Sequence, residues 1–96
     1  MKIVRLHIAG LVQGVGYRAF LQSQASGLAV EGWVRNRRDR WVEALIAGPA
    51  EAVGEMVVAA RRGPPESRVE DIQIVEAEPS ALAEVRRGHF SVLPTV

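Results

Sequence analysis

The sequence predicts an α+β fold of the ferredoxin-like, split βαβ kind (βαββαβ): an antiparallel sheet with two helices on one face. Three observations carry that expectation. The apolar positions switch between a period of two and a helical period in the order strand, helix, strand, strand, helix, strand. Glycine and proline clusters separate these segments. The chain has 96 residues, 48% of them apolar, which suits one small domain over 1–96 and argues against disorder.

Each element has its own warrant. Residues 2–9 alternate, with Val4, Leu6 and Ile8 on one side and Arg5 and His7 on the other, so they read as a strand. Residues 10–16 read as a loop. From Tyr17 the spacing turns helical: Tyr17, Phe20, Leu21, Ala25 and Leu28 form one apolar stripe. Gly27 is expected to supply the left-handed residue at that helix end. Val30, Gly32 and Val34 alternate with Glu31, Trp33 and Arg35 in a second strand that runs into Asn36. Residues 37–40 form a hairpin tip, and Val42, Ala44 and Ile46 mark the third strand. After Gly48-Pro49 a second helix turns Val53, Met56, Val57 and Ala60 inward, and Gly63-Pro64-Pro65 ends it. Residues 69–77 read as a fourth strand of ambiguous facing, 79–87 as a turn or short helical piece, and 90–93 as a short terminal strand. The crossovers are expected to be right-handed.

Composition removes several classes of function. No cysteine is present, which excludes disulfides, thiolate metal sites and a cysteine nucleophile. A net charge of +1 is low for a nucleic-acid binder. There is neither an apolar run of membrane length nor a signal-like start, so no membrane partner is expected and the cytoplasm is the expected compartment. Arg35, Arg37, Arg38 and Arg40 crowd one segment; they suit either a solvated tip or an anionic ligand. His7 and His89 lack a second ligand at metal-binding spacing, so no metal is expected. Ser23 and Ser26 lack a matching His and Asp. Glu43 reads as a strand residue paired with an arginine. Trp33 and Trp41 read as cover for the sheet, and the arginine pairs 61-62 and 86-87 as solvated.

The stretch VQGVGYR, residues 12–18, is the candidate site. Gly14 and Gly16 permit backbone angles closed to other residues. Such a bend can turn successive N–H groups inward around an anion, and it opens directly onto a helix N-terminus. Arg18 falls in the first helical turn, where the dipole disfavours a cation, so a bound anion gives it a purpose. The nucleotide loop pattern GxxxxGK[ST] is absent. A dinucleotide fingerprint would put its third glycine at Ala19, in a chain too short for a doubly wound sheet. Val12 stands where a cysteine phosphatase would carry its nucleophile.

GLVQGVGYR at 10–18 and GWVRNRRDRWVE at 32–43 resemble the two signature motifs of the acylphosphatase family, and the likeness extends over most of the chain. The resemblance implies a small enzyme, without cofactor or metal, that hydrolyses the carboxyl–phosphate bond of small acyl phosphates. It implies that Arg18 binds the phosphoryl group and that Asn36 holds the attacking water. It also implies a phosphate-binding set of Gln13, Gly14, Val15, Gly16, Tyr17 and Arg18. A free-standing monomer is expected, with no nucleic-acid partner; the alternative is a non-catalytic ferredoxin-like module that binds anions or RNA. Three positions depart from the family pattern. Leu11 stands for an arginine, Tyr17 for a phenylalanine, and Arg40 for the glycine of an Asp-Gly turn. If residue 40 needs a positive φ, arginine there is strained by roughly 1 kcal/mol.

Overall fold

The structure, a computed structural model, describes residues 1–96. In chain order it comprises β1 (Lys2–Leu11), α1 (Tyr17–Leu28), β2 (Glu31–Asn36), β3 (Val42–Gly48) and α2 (Ala50–Arg62). These are followed by β4 (Arg68–Glu76), a 3-10 turn (Pro79–Glu84) and β5 (Phe90–Val92). The strands form one sheet in the order β4-β1-β3-β2-β5. The pairs β1–β3, β1–β4 and β2–β3 are antiparallel, as the pattern predicts. β5 is the exception: it runs parallel to β2, with Val34 opposite Val92, so the complete sheet is mixed. After β4 the chain crosses the helix-free face and adds to the open edge of β2. Periodicity marks a strand but not the neighbour it finds.

Alternation produces the layers. Val4, Leu6 and Ile8 of β1, Val34 of β2, and Val42, Ala44 and Ile46 of β3 all face the helices. They pack against Tyr17, Leu21 and Ala25 of α1 and Val53, Met56 and Ala60 of α2. Each large side chain buried this way contributes about 1.5–3 kcal/mol of transfer free energy. The residues between them, Ile3, Trp33, Leu45 and Ala47, face the opposite way and are covered by Ala81 and Val85. Trp33 therefore covers the sheet as expected, with the Arg35 guanidinium 4.5 Å from the centre of its ring. β4 is an edge strand whose Ile74 and Val75 remain exposed, which accounts for its ambiguous pattern.

Three local features differ from the sequence expectation. β1 continues beyond residue 9: after a register shift at Ala9/Gly10, Gly10 pairs with Val69 and Leu11 with Arg68. A bulge of this kind depends on a distant partner strand and leaves no local signal. In α1 the left-handed residue is Ala29, at φ 56°, while Gly27 stays inside the helix. Leu28 packs against the core, so the helix holds on past the glycine. In α2, Val57 is only half-buried and Ala59 takes the fully buried place.

Arg40 has φ 76° and lies exposed at the β2–β3 tip. Asp39 steadies that tip by accepting a 3.0 Å hydrogen bond from the Trp41 amide. Because a side chain in the left-handed region costs about 1–2 kcal/mol and glycine returns part of that as unfolded-state entropy, Arg40→Gly is expected to stabilise the fold by about 0.5–1 kcal/mol. A urea titration reads this as a higher midpoint at unchanged slope; an unchanged or lower midpoint would contradict the strain.

Candidate active site

The loop between β1 and α1 takes the conformation its glycines allow. Gly14 has φ 74° and Gly16 φ 80°. Gly16 is the N-cap of α1, with no side chain capping the helix and no acidic residue in the first turn. The first helical hydrogen bond runs from the Phe20 amide to the Gly16 carbonyl, at 3.0 Å. The amides of Tyr17, Arg18 and Ala19 precede that bond, and none of the backbone amides from Val12 to Gly16 donates to another part of the protein. A run of unused N–H groups at the positive end of a helix attracts an anion through both hydrogen bonding and the dipole.

Arg18 is half-buried and has no carboxylate within ion-pair distance. With Gly14, Gly16 and Tyr17 it lines a cavity of about 240 Å³, whose sides are formed by Ala19, Gln22 and Val92. The tyrosine side chain points elsewhere. Its ring is in the core, and its hydroxyl donates a 2.7 Å hydrogen bond to the Ala60 carbonyl in the last turn of α2. Burial raises the phenol well above its ordinary pKa of 10.0, so it remains a donor. The departure from phenylalanine thus ties the two helices together, and only the Tyr17 backbone is left to the loop.

Gln13 serves the loop from behind. Its Nε2 donates to the carbonyls of Arg37 (2.8 Å) and Trp41 (2.9 Å), bracing the loop against the β2–β3 hairpin. Its amide nitrogen is therefore committed to the hairpin. Neither Gln13 nor Val15 lines the cavity. No periodicity or motif spacing in the sequence marks this bracing role.

Asn36 ends β2 opposite Val42, which pairs in turn with Ile8 of β1. Two residues beyond Val34, it lies on the helix-facing side of its strand. Its Oδ1 is buried without a hydrogen-bond partner, the only such side-chain atom in the protein. Leaving an acceptor in that state costs about 1–3 kcal/mol. Asn36 does not itself line the cavity. It stands two residues along β2 from Val34, whose partner Val92 does line it. The structure thus gathers Gly14, Gly16, Tyr17 and Arg18 around one space and leaves Asn36 outside its lining.

In the arginine-rich hairpin Arg35 and Arg37 are paired, while Arg38 and Arg40 have no carboxylate partner. Arg35 Nε lies 2.8 Å and Arg37 Nη1 3.3 Å from Glu43 Oε1, and Arg37 Nε is 3.3 Å from Asp39. Desolvation pushes the Glu43 pKa up, but the two arginines outweigh it and hold the carboxyl below its ordinary 4.5. Glu31 is likewise held low, mainly by the Gly88 amide, with help from Arg87. His7 lies opposite Glu43 on β1 and packs against Trp41, the rings tilted by 54° with centroids 5.2 Å apart.

Fold and cavity together define a class: small ferredoxin-like domains with a glycine loop and an arginine at the head of the first helix. The acylphosphatase family model matches residues 4–87. The acylphosphatase of Rhodopseudomonas palustris (strain BisB18) is 54% identical over 90 residues, covering 93% of this chain and 91% of its own. That of Bradyrhizobium diazoefficiens is 52% identical over 95 residues, covering 98% of this chain and 96% of its own. Among solved structures, the Bacillus subtilis acylphosphatase superposes with a TM-score of 0.86 at 38% identity, covering 97% of this chain and 99% of its own. The chain belongs to the acylphosphatase family.

The loop brace and the hairpin carboxylates can each be tested by stability. Gln13→Ala removes two hydrogen bonds but leaves the Arg37 and Trp41 carbonyls their backbone donors, the Arg40 and Arg37 amides, so a loss of about 0.5–1.5 kcal/mol per bond in unfolding free energy is expected from denaturant titration. Gln13→Glu removes the donor at nearly constant volume and should destabilise at least as much. For Glu31 and Glu43, folding lowers the pKa, so the native state binds fewer protons than the unfolded chain. Their stabilisation is complete above the ordinary value of 4.5 and is lost as the pH falls through the folded values. Urea midpoints should drop between about pH 5 and about pH 3, and Glu43→Gln should flatten that slope.

Proposed function

We propose that this chain hydrolyses the carboxyl–phosphate bond of small acyl phosphates, giving a carboxylate and inorganic phosphate, with Arg18 and the loop amides as the phosphoryl site. The reading takes residues 1–96 as one domain that acts as a monomer in the cytoplasm. One observation carries it: an arginine without an acidic partner shares a cavity with the uncapped head of α1.

The chemistry asks little else of the protein. The leaving group is a carboxylate, stable without a proton near neutral pH. Phosphoryl transfer passes through a loose transition state, so positioning and charge stabilisation are the main tasks. Amides at the helix head and the planar Arg18 fork suit the equatorial oxygens. At an effective dielectric of about 20, a guanidinium about 4 Å from one phosphate charge gains about 4 kcal/mol before desolvation is counted. Asn36 Oδ1 is an acceptor with nothing to accept, which supports a role in orienting the attacking water. A carboxamide does not take a proton near neutral pH, so Asn36 is not the general base.

Benzoyl phosphate hydrolysis tests the assignment. Turnover is expected to survive a chelator. Arg18→Ala should weaken inhibition by inorganic phosphate as well as the rate. Asn36→Ala should leave phosphate inhibition in place and lower kcat on the order of 100-fold, as for the loss of an oriented hydrogen-bonding group. Full activity in both variants would remove the site. Salt-sensitive binding of single-stranded RNA by an inactive wild type would favour the non-catalytic alternative.

A further inference from the structure

The largest cavity of the molecule, about 440 Å³, lies next to the proposed phosphoryl site and shares Ala19 and Gln22 with it. It is a groove between α1 and the segment leading into β5. Gln22, Ser23 and Ser26 line one wall, His89 the other, and Val30 and Phe90 contribute apolar surface. Ala19, Gln22, Ser23 and Ser26 recur three or four residues apart and so share one face of α1. The helix rise sets Ser23 about 7.5 Å and Ser26 about 12 Å beyond Arg18 along the axis. That is the direction in which a substrate held by its phosphoryl group at the helix head can extend.

We infer that this groove is the acyl-group subsite and that it favours acyl phosphates whose far end carries a carboxylate; the inference rests on the phosphoryl site proposed above. The lining holds donors but no acidic side chain. Gln22 Nε2 is spent on the Phe90 carbonyl at 3.0 Å, which fastens β5 to α1, and the Ser26 hydroxyl donates to the Gln22 carbonyl at 3.2 Å. The Ser23 hydroxyl and the His89 ring, both exposed on opposite walls, form no hydrogen bond within the protein and are left to a ligand. The Glu31 carboxylate, which accepts from the amide of the lining residue Gly88 (2.6 Å), is also tied to Arg87 (2.7 Å), so its charge is compensated. An apolar acyl group would meet these donors without satisfying them, whereas a terminal carboxylate can accept from both.

The test compares 4-carboxybenzoyl phosphate with 4-methylbenzoyl phosphate in the wild type and in His89→Ala, Ser23→Ala and Ser23→Trp. Dividing wild-type by variant kcat/KM for each substrate cancels the intrinsic reactivity of its leaving group. His89→Ala and Ser23→Ala are each expected to lower kcat/KM for the carboxylated substrate about tenfold more than for the methyl one, the loss of one hydrogen bond to a charged group. Ser23→Trp, which fills the groove from an exposed helix position, should lower both. Acetyl phosphate is too short to reach the groove, and its hydrolysis should stay at the wild-type level, which also reports that the variants are folded. Equal losses for the two benzoyl substrates, with acetyl phosphate turnover and phosphate inhibition intact, would overturn the subsite and leave the phosphoryl site standing. A wild type that hydrolyses none of the three and is not inhibited by phosphate would overturn both.

Discussion

The constraint on which the rest depends is the uncapped head of α1. A helix begins with amides that its own turns cannot use. Here Gly16 brings the chain into the helix in a left-handed conformation and offers no side chain to use them either. Everything around the loop keeps those donors in place and unspent. Gln13 fastens the loop to the carbonyls of Arg37 and Trp41, and the Tyr17 hydroxyl fastens the helix head to α2 through Ala60. Both braces use side chains, so the loop backbone stays open.

Charge placement follows the same logic. Arg5, Arg35, Arg37 and Arg87 each have a carboxylate partner. Of the arginines without one, Arg18 alone is half-buried rather than exposed, and it stands where the helix dipole already repels a cation. The exposed Arg5–Glu84 pair contributes little to stability, about 0–1 kcal/mol, whereas Arg35 and Arg37 hold the part-buried Glu43. An anion at the proposed phosphoryl site would offset the cost of Arg18 at the helix head. The unpartnered Asn36 Oδ1 has the same character: a buried acceptor that weakens the empty fold and becomes useful once a donor arrives. Strain at Arg40 is different, for it sits on an exposed tip and serves no cavity.

Membership of the acylphosphatase family accounts for the shared loop and hairpin motifs, while the departures within them have local explanations. The hydroxyl gained at Tyr17 meets a carbonyl in the last turn of α2. Leu11 is exposed on the last residue of β1, so no charge has to be balanced there. Arg40 keeps the left-handed turn without the residue best suited to it.

Periodicity alone determined the order of elements, the inward faces of the first three strands and of α1, most of that of α2, and the sheet-covering role of Trp33, because each is a repeat written within a few neighbouring residues. The glycine bend and Arg18 were legible for a similar reason: unusual backbone freedom and a cation at a helix head are both visible locally. The tertiary structure decided what depends on residues far apart in the chain. These include the parallel pairing of β5, the bulge that lengthens β1, the shift of the left-handed residue from Gly27 to Ala29, and the turn of Gln13 away from the cavity toward the hairpin. In every one of these cases the deciding contact is a hydrogen bond or an apolar surface supplied by another element, and no window along the sequence contains both partners.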